Sequence, residues 1–267
     1  DRPLISYNEV LNKELPTLIW DVKPLVSRGD RVVIFGEFAS MKSWLVLHMA
    51  LHLGAAADWL GFQVEEQRRV LYVDEEMNER TLRRRVKRLG QGANLTEEVP
   101  VQFLSRAGVR FDAHGAHVLL GYLAKHRFHP QVITVEALRR VLVGDENESR
   151  DMAQFWRNLE PISRDGTTVL ITHHMNKPPQ IGTRAVRYRA SGSTDILAGS
   201  DASFAVERVG ADTAKLTGIK ARDDVELAPF VVKLDDAGDR QGPIRLFVAA
   251  QPVVDDVFST SPAAWGG

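Results

Sequence analysis

The sequence contains no cysteine. Disulfide bonds, thiolate metal sites and cysteine nucleophiles are therefore excluded from its structure and its chemistry. Neither sign of charge is in excess, because 34 lysines and arginines face 35 aspartates and glutamates and leave a formal net charge of -1. This balance excludes a protein that binds nucleic acid through bulk positive charge, as histones do, although a local basic patch remains compatible with it.

Long apolar runs are also missing, and none approaches the roughly 18 residues that a membrane-spanning helix needs. The first residues, Asp1-Arg2-Pro3-Leu4, lack the charged-then-apolar order of a secretion signal. We therefore expect a cytoplasmic protein with no membrane partner. The chain has 267 residues, of which 44% are hydrophobic and 26% charged, and this is ordinary for a globular protein with its own core.

Short apolar segments alternate with helical segments along the first two thirds of the chain. The predicted strands are 31–35, 70–73, 101–104, 132–135 and 168–172, and the predicted helices are 42–57, 78–89, 113–126 and 150–164. This alternation predicts an α/β fold with a mostly parallel, twisted sheet flanked by helices. Four later segments predict an antiparallel C-terminal extension of the same sheet: 203–208, 214–220, 230–234 and 244–248.

The loop between the first predicted strand and its helix has the pattern of a phosphate-binding loop. It matches the Walker A sequence except that Met41 stands where the pattern has its last glycine. Backbone N–H groups of such a loop cradle phosphates, while Lys42 would neutralise the outer phosphates and Ser43 would ligate magnesium. The alternative is a chance Lys-Ser pair at a helix start. The predicted ATP-binding residues are Gly36, Glu37, Phe38, Ala39, Ser40, Met41, Lys42, Ser43 and Trp44.

Carboxylates follow two further predicted strands. Asp74, Glu75 and Glu76 end the strand 70–73, and a carboxylate there can polarise the water that attacks a γ-phosphate. The alternative is a helix start that collects acids to suit its dipole. Glu136 ends the strand 132–135 as the acid of a Walker B segment does, with glutamate in place of aspartate. It would reach magnesium through water, or it is a plain solvent-facing residue.

Two histidines, His173 and His174, end the strand 168–172. Because adjacent strand residues face opposite ways, one histidine points to the end of the sheet and the other packs away. A histidine at the sheet end can donate a hydrogen bond to a γ-phosphate. A zinc pair is the rival interpretation, but it lacks a second ligand cluster.

Taken in order, these motifs resemble those of a known family. The motifs are the phosphate loop with Trp44-Leu45, the strand end at Glu76, the segments 136–140 and 173–177, and Arg189-Ala190-Ser191-Gly192-Ser193. The set resembles the RecA-like ATPases of the RepA group, the hexameric plasmid replicative helicases and their phage relatives. The resemblance runs from about Trp20 to Leu234. It implies a RecA-like core, with Lys42 and Ser43 as the phosphate-loop pair, Glu76 as catalytic glutamate and His174 as γ-phosphate sensor.

The resemblance also suggests residues that act between subunits and on DNA. Lys220 and Arg222 resemble the pair with which replicative helicases touch a neighbour's γ-phosphate; the alternative is an exposed basic turn. Residues 177–189 contain no acid and would track a DNA backbone, unless they form a solvated loop. Their candidate DNA-binding residues are Lys177, Arg184, Arg187 and Arg189.

The expected function is therefore an ATP-hydrolysing motor on single-stranded DNA that uses ATP and Mg²⁺, a replicative helicase or translocase. The expected assembly is a homo-oligomer, either a hexameric ring or a filament. A recombinase or mediator with slow hydrolysis is the alternative, since Met41 and Glu136 depart from the family pattern; Asp201 is a third departure, at the position where the plasmid helicase has an arginine. A nucleotide-gated regulator without DNA contact is a third candidate function. The expected division is an N-terminal arm (1–19), a RecA-like ATPase domain (20–250) and a C-terminal tail (251–267).

Overall fold

A computed structural model of the chain describes residues 4–14, 17–95, 98–163, 166–175, 195–221, 227–236, 238 and 241–250. The strands are β1 (Trp20–Val22), β2 (Val26–Ser27), β3 (Arg31–Gly36), β4 (Val70–Asp74), β5 (Val101–Ser105), β6 (Val132–Glu136), β7 (Thr168–His174), β8 (Ala202–Arg208), β9 (Thr213–Ala221), β10 (Phe230–Asp235) and β11 (Arg245–Ala250). The helices are α1 (Tyr7–Asn12), α2 (Lys42–Ala55), α3 (Glu79–Gly92), α4 (Gly115–Lys125), α5 (Leu138–Val141), α6 (Ser149–Ser163) and α7 (Asp195–Ala198).

Nine of these strands form one sheet in the order β11-β10-β9-β8-β3-β7-β6-β4-β5. The six strands from β8 to β5 run parallel to one another. The strands β9, β10 and β11 add antiparallel pairs, which confirms the predicted extension. One detail was not indicated by the sequence: β8, the first strand after the last crossover, runs parallel to β3 and joins the extension to the core.

Helices cover both faces of the parallel strands, so that the fold is a helix–sheet–helix sandwich. On one face, Leu45 of α2 and Leu89 of α3 pack in a large apolar cluster. On the other face, Leu119 of α4 and Phe155 of α6 belong to a second cluster. Every residue of β4 and of β6 is buried, as expected for parallel strands between two helical layers. The predicted α/β fold class is confirmed.

Several short elements were not predicted. The two strands of the β1–β2 hairpin pair with each other outside the main sheet. The helices α5 and α7 are single turns of four residues each. Before the hairpin, α1 lies in the predicted N-terminal arm and buries none of its side chains. The predicted C-terminal tail, 251–267, lies outside the described residues, and the division into arm, core and tail stays a prediction.

Among the helices that the structure describes, none combines the length and the apolar character that crossing a bilayer requires.

Candidate functional site

The predicted site residues of four strands meet at one edge of the sheet. In the parallel register, Gly36 of β3 lies beside His174 of β7, and Asp74 of β4 lies beside Glu136 of β6. Because parallel strands all end at the same edge, side chains that are far apart in the sequence converge there. This edge is also where α2 begins, directly after the phosphate loop.

Position 36 requires glycine because neighbouring atoms occupy the space that a side chain would need. A Cβ atom built on Gly36 would lie 2.4 Å from the carbonyl oxygen of Val206 and 2.6 Å from Oγ of Ser40. Real Cβ contacts are not that short, so a larger residue would displace β8 or the loop. The Ser40 hydroxyl is buried and makes no hydrogen bond within the described residues, which leaves it available to a ligand.

Met41 has a backbone conformation that glycine adopts more easily than any other residue, which explains why the Walker A pattern has glycine at this position. Its φ is 73° and its ψ 7°, in the left-handed region. Holding a side chain there costs about 1–2 kcal/mol. The side chain is 9% exposed and packs in the apolar cluster beneath α2, and burying such a side chain contributes about 1.5–3 kcal/mol. The methionine therefore keeps the loop in the usual shape and anchors it to the core.

Lys42 rests on the loop itself. Its Nζ donates hydrogen bonds to the carbonyl oxygens of Gly36 (2.9 Å) and Glu37 (2.8 Å). Burial lowers the pKa of the ammonium below its ordinary value, and the carboxylates of Glu136, Glu76 and Glu37 oppose that shift. The charge is thus held at the mouth of the loop, where an anionic ligand would replace the two carbonyls.

Ser43 and Glu136, the predicted magnesium residues, are in direct contact. The Ser43 hydroxyl donates a short hydrogen bond to Oε1 of Glu136, and the Tyr72 hydroxyl donates a second bond of 2.7 Å to Oε2. Burial raises the pKa of Glu136 above its ordinary value, although the two hydroxyl bonds oppose the shift. The extra methylene of glutamate, relative to aspartate, lets this carboxylate reach from β6 to the first turn of α2.

The three carboxylates that follow β4 have different surroundings. Asp74 is buried, and its Oδ1 accepts hydrogen bonds from the backbone N–H groups of Glu76 (2.9 Å) and Met77 (2.7 Å). Burial raises the pKa of Asp74, against the effect of those two bonds. Glu75 turns away from the loop, and its carboxylate accepts from the N–H groups of Gly108 (3.2 Å) and Val109 (2.9 Å). Asp74 and Glu75 therefore stabilise the local backbone.

Of these three carboxylates, that of Glu76 faces the other site residues, and it makes no short hydrogen bond with them. Its Oε1 lies 3.9 Å from Nε2 of His174 and 3.9 Å from Nε of Arg140. The side chain is half-buried. Such a carboxylate is positioned to accept a proton from a water molecule held near the phosphate loop.

The two histidines at the end of β7 point to opposite sides, as predicted. His173 is fully buried, whereas 35% of the His174 side chain is exposed at the sheet edge. Burial, followed by the charge of Lys42, lowers the pKa of His174 below its ordinary value. The imidazole is therefore neutral at pH 7 and offers one N–H donor at the edge of the phosphate loop.

A cleft of about 660 Å³ adjoins the phosphate loop and is lined by residues 39–44 of the loop and of the start of α2. Trp44 lines it, with the guanidinium of Arg85 stacked 4.5 Å from the centre of the indole. Arg208 of β8 also lines the cleft and donates to the carbonyl oxygen of Ala39 in the loop at 3.3 Å. The cleft therefore lies next to the phosphate loop and is lined by one aromatic side chain and several charged ones.

Of the predicted trans-acting and DNA-contacting residues, Lys220 is the one that the structure describes, and its ammonium group binds elsewhere. Nζ of Lys220 donates to carbonyl oxygens at the end of α7 and just beyond it, those of Leu197 (2.8 Å), Ala198 (3.0 Å) and Ser200 (2.6 Å). Asp201 accepts from the backbone N–H and from Nε of Arg31. The remaining candidates, Arg222, Lys177, Arg184, Arg187 and Arg189, lie outside the described residues, and their roles stay predictions.

Sequence reasoning missed three residues of the site. Tyr72 lies two positions before Asp74, on the same face of β4, so strand alternation is the signal that could have placed it beside Glu136. Arg140 follows the Walker B-like strand and faces Glu76, but nothing in the sequence indicates that direction. Arg208 reaches the loop only because β8 pairs with β3.

The residues present fit a nucleotide with magnesium. The buried Ser40 hydroxyl and the Lys42 ammonium suit phosphate oxygens, and the hydroxyl and carboxylate oxygens of Ser43 and Glu136 are the ligands that Mg²⁺ prefers. In the described part of the chain, no group of three or more histidine and carboxylate side chains is placed to hold a metal ion. Phosphate oxygens and water would supply the remaining ligands.

The sheet order and the loop together define a RecA-like P-loop ATPase, a nucleotide-binding enzyme class. Residues 5–180 match the family model described as an AAA domain, and because that match covers more than half of the chain, the protein belongs to this family. No curated protein matches the sequence.

Among solved structures, the chain is similar to the crystal structure of a KaiC-like protein from the hyperthermophilic archaeon Pyrococcus horikoshii OT3. The TM-score is 0.54 at 13% identity, over 86% of this chain and 94% of that one. At this identity the similarity shows a shared fold.

Proposed function

We propose that this ATPase is a motor on single-stranded DNA, of the kind found in RepA-type replicative helicases, and that it works as a homo-oligomer. The observation that carries the proposal is the arrangement of Glu76, His174 and the phosphate loop at one sheet edge. The DNA partner rests on the resemblance and on the basic composition of residues 177–189, which follow the strand that carries His174.

In the hydrolytic step, Glu76 accepts a proton from the attacking water while the water oxygen forms its bond to the γ-phosphorus. The bond between that phosphorus and the bridging oxygen breaks, and ADP leaves with the electron pair. Lys42 holds the outer phosphates, and Ser43 with Glu136 would hold Mg²⁺. When bound, Mg²⁺ neutralises charge on the phosphates.

We assign the nucleoside to the cleft beside the loop. The stacked Trp44 and Arg85 offer a flat surface to a purine base, and the other charged groups that line the cleft suit ribose hydroxyls. Lys42→Ala tests the phosphate end of this assignment, because removing the main charge should abolish turnover and weaken ATP binding. Unchanged affinity and turnover would overturn it.

The slow recombinase or mediator remains the second candidate. Its support came from two departures from the family pattern, at Met41 and Glu136, and the surroundings of both residues weaken that support. Met41 adopts the backbone conformation of the glycine it replaces, and Glu136 reaches Ser43. Directional unwinding of a duplex by the purified protein distinguishes the helicase from this candidate, which would bind DNA without unwinding it.

The DNA proposal is tested by coupling. If His174 responds to the γ-phosphate, the segment after β7 changes with nucleotide state, and DNA and ATP must affect each other's binding equally. We expect the affinity for a fluorescent single-stranded oligonucleotide to differ at least about fivefold between ADP and a non-hydrolysable ATP analogue. Equal affinities would contradict a motor and favour a nucleotide-gated regulator.

Two variants complete the test. Replacing Arg184, Arg187 and Arg189 together should flatten the dependence of DNA affinity on salt while it spares basal ATP turnover. His174→Ala should keep DNA binding but remove its response to the nucleotide. A triple variant with the salt dependence of the wild type would exclude this segment as the DNA site.

A further inference from the structure

The helix α3 carries a concentration of positive charge that the candidate ATPase site leaves largely unused. Its 14 residues include six lysines and arginines and one acid, Glu79, although the whole chain has a formal net charge of -1. Two of the six have partners inside the protein. Arg85 stacks on Trp44, and Nε of Arg88 donates to the carbonyl oxygen of Gly242 at 2.6 Å. The other four are exposed: Arg80, Arg83, Arg84 and Lys87.

These four side chains lie on one face of the helix, and we define them as the basic row. Residues that are three, four and seven positions apart on an α-helix share one face. The row extends over seven residues, which is about 10 Å of helix axis at 1.5 Å per residue. The opposite face of α3 carries Leu82 and Leu89, which pack in the apolar cluster beneath it. The helix is thus fixed to the core with the basic row turned outward.

Acidic side chains neutralise only part of the basic row. Arg83 forms an ion pair with Glu79, one turn before it, at 2.5 Å, and both side chains are mostly exposed. Such exposed pairs are weak, so Arg83 can exchange this partner for another anion. Among the residues that the structure describes, no carboxylate lies within ion-pair distance of Arg80, Arg84 or Lys87. None of the row lines the neighbouring nucleotide cleft, whose acids are Asp212, Asp235 and Asp236.

The composition of this face favours one kind of anionic partner. The helix α3 has no aromatic residue, and its apolar side chains pack on the core. A protein interface needs an apolar centre, and a helix on a membrane needs an apolar face toward the lipid. Surfaces for single-stranded nucleic acid carry aromatic side chains on which the bases stack. A duplex requires none of these, because its bases are stacked inside and its phosphates lie outside.

We propose that the basic row binds the phosphate backbone of double-stranded DNA. Phosphates of one strand follow one another at 3.4 Å along the duplex axis, so a row of about 10 Å spans about three of them. Contacts of this kind position a protein on a duplex without reading its sequence. The site goes beyond the proposed function, which concerns single-stranded DNA at residues 177–189. It needs neither ATP hydrolysis nor a single strand, so each site can be lost without the other.

The salt dependence of duplex binding tests the proposal. The probe is a fluorescent blunt duplex of about 20 base pairs, titrated at several NaCl concentrations without nucleotide. In the test variant, glutamine replaces all four residues of the row and preserves the helix propensity of α3. Each lost phosphate contact removes about 0.9 from the slope of log affinity against log salt. We therefore expect the slope to fall by about 3, and the affinity at low salt to fall at least about tenfold.

A matched control removes four charges from the other side of the sheet. It carries glutamine at exposed positions of α4, of α6 and of the turn after α4: Lys125, Arg127, Arg150 and Arg157. Its slope should stay within about one of the wild-type value. Equal losses in the two variants would overturn the proposal, because they would reflect net charge and not a site. An unchanged slope in the test variant, with an altered elution volume in gel filtration, would assign the face to contacts between subunits.

Glu79→Gln supplies a test that a loss of folding cannot imitate. Removing this acid releases Arg83 and takes away the one negative charge of α3, so duplex affinity should rise at least about twofold and the slope by about 1. The control is Glu160→Gln at an exposed position of α6, which should change neither value. Wild-type affinity and slope in Glu79→Gln would contradict the proposal.

A single-stranded probe of the same length separates this proposal from the proposed function. Duplex binding that depends on the basic row, together with no binding of the single strand, would defeat the proposed function and leave this proposal supported. Nucleotide-dependent binding of the single strand, with a duplex slope that the test variant does not change, would do the reverse.

Discussion

The Ser43 hydroxyl donates a hydrogen bond to the carboxylate of Glu136, and so connects the first turn of α2 to the end of β6. Tyr72 holds the other oxygen of the same carboxylate. The acid is buried and its pKa is raised by that burial, so the ionised form is costly in the folded protein. A buried charge kept at such a cost is typical of a functional site.

Replacing this charge should affect stability and activity in opposite directions. An acid whose pKa is raised by folding destabilises the folded state at every pH above its ordinary value, because the unfolded chain releases the proton more easily. Glu136→Gln should therefore increase the free energy of unfolding at pH 7, measured by urea titration. It should also raise the Mg²⁺ concentration for half-maximal turnover by about tenfold or more. Lower stability together with unchanged Mg²⁺ dependence would contradict the account.

Met41 allows backbone strain to be separated from packing. Met41→Ala keeps a side chain in the left-handed conformation and loses the buried thioether, so we expect a loss of about 2–3 kcal/mol in the free energy of unfolding. Met41→Gly loses the same contacts but relieves the strain, and should be about 1 kcal/mol more stable than the alanine variant. Urea denaturation of both variants measures the difference. A glycine variant that is less stable than the alanine variant would contradict the assigned strain.

Gly36 should tolerate no side chain. In Gly36→Ala, the new Cβ would press on the Val206 carbonyl and on Ser40, so β8 or the loop must move. We expect a loss of about 2 kcal/mol in stability and a clear loss of ATP affinity, measured by calorimetric titration. The control is Gly90→Ala in α3, where a Cβ meets nothing within 4 Å, and this change should stabilise the helix by about 0.5–1 kcal/mol.

Much of this architecture follows from local pattern, and the sequence alone predicted it. The segments 70–73 and 132–135 are β-branched and apolar because both sheet faces are covered, and they match the observed strands to within one residue. The β1–β2 hairpin was missed because strands of two or three residues carry too little periodicity. Long-range bonds stabilise it, among them the one from the Lys23 N–H to the Gln63 carbonyl at 2.9 Å.

The residues of the candidate site also fall into those that the sequence could predict and those that it could not. Lys42, Ser43 and Glu136 belong to contiguous motifs, so their convergence could be predicted from the common edge of parallel strands. The approach of Arg140 to Glu76 could not, because it depends on how a loop turns after its strand. The contact of Arg208 with the phosphate loop could not be predicted either, because Arg208 lies about 170 residues after the loop in the sequence.

His48 should make the folded state sensitive to acid. Burial lowers its pKa to about 3, and the neighbouring His52 ring, whose centroid lies 4.0 Å away, adds to the effect. Below the ordinary pKa of histidine the unfolded chain takes up a proton that the folded chain refuses, so stability falls as pH falls. From about pH 7.5 to about pH 5 this residue should cost about 2 kcal/mol. His48→Gln should flatten that part of the stability curve, measured by urea titration at each pH; parallel curves would contradict the assignment.

The most direct test of the account is the cleavage of bound ATP in a single turnover by Glu76→Gln, with Glu75→Gln as the neighbouring control. Glu76→Gln should bind ATP within about twofold of the wild type and cleave it at least ~100-fold more slowly, because the group that accepts the proton is gone. Glu75→Gln should slow cleavage less than ~10-fold. The Glu75 carboxylate accepts hydrogen bonds from the backbone N–H groups of residues 108 and 109, and it does not contact the reacting atoms. Cleavage at the wild-type rate in Glu76→Gln, or a larger loss in Glu75→Gln, would contradict the assignment of Glu76 as the catalytic base.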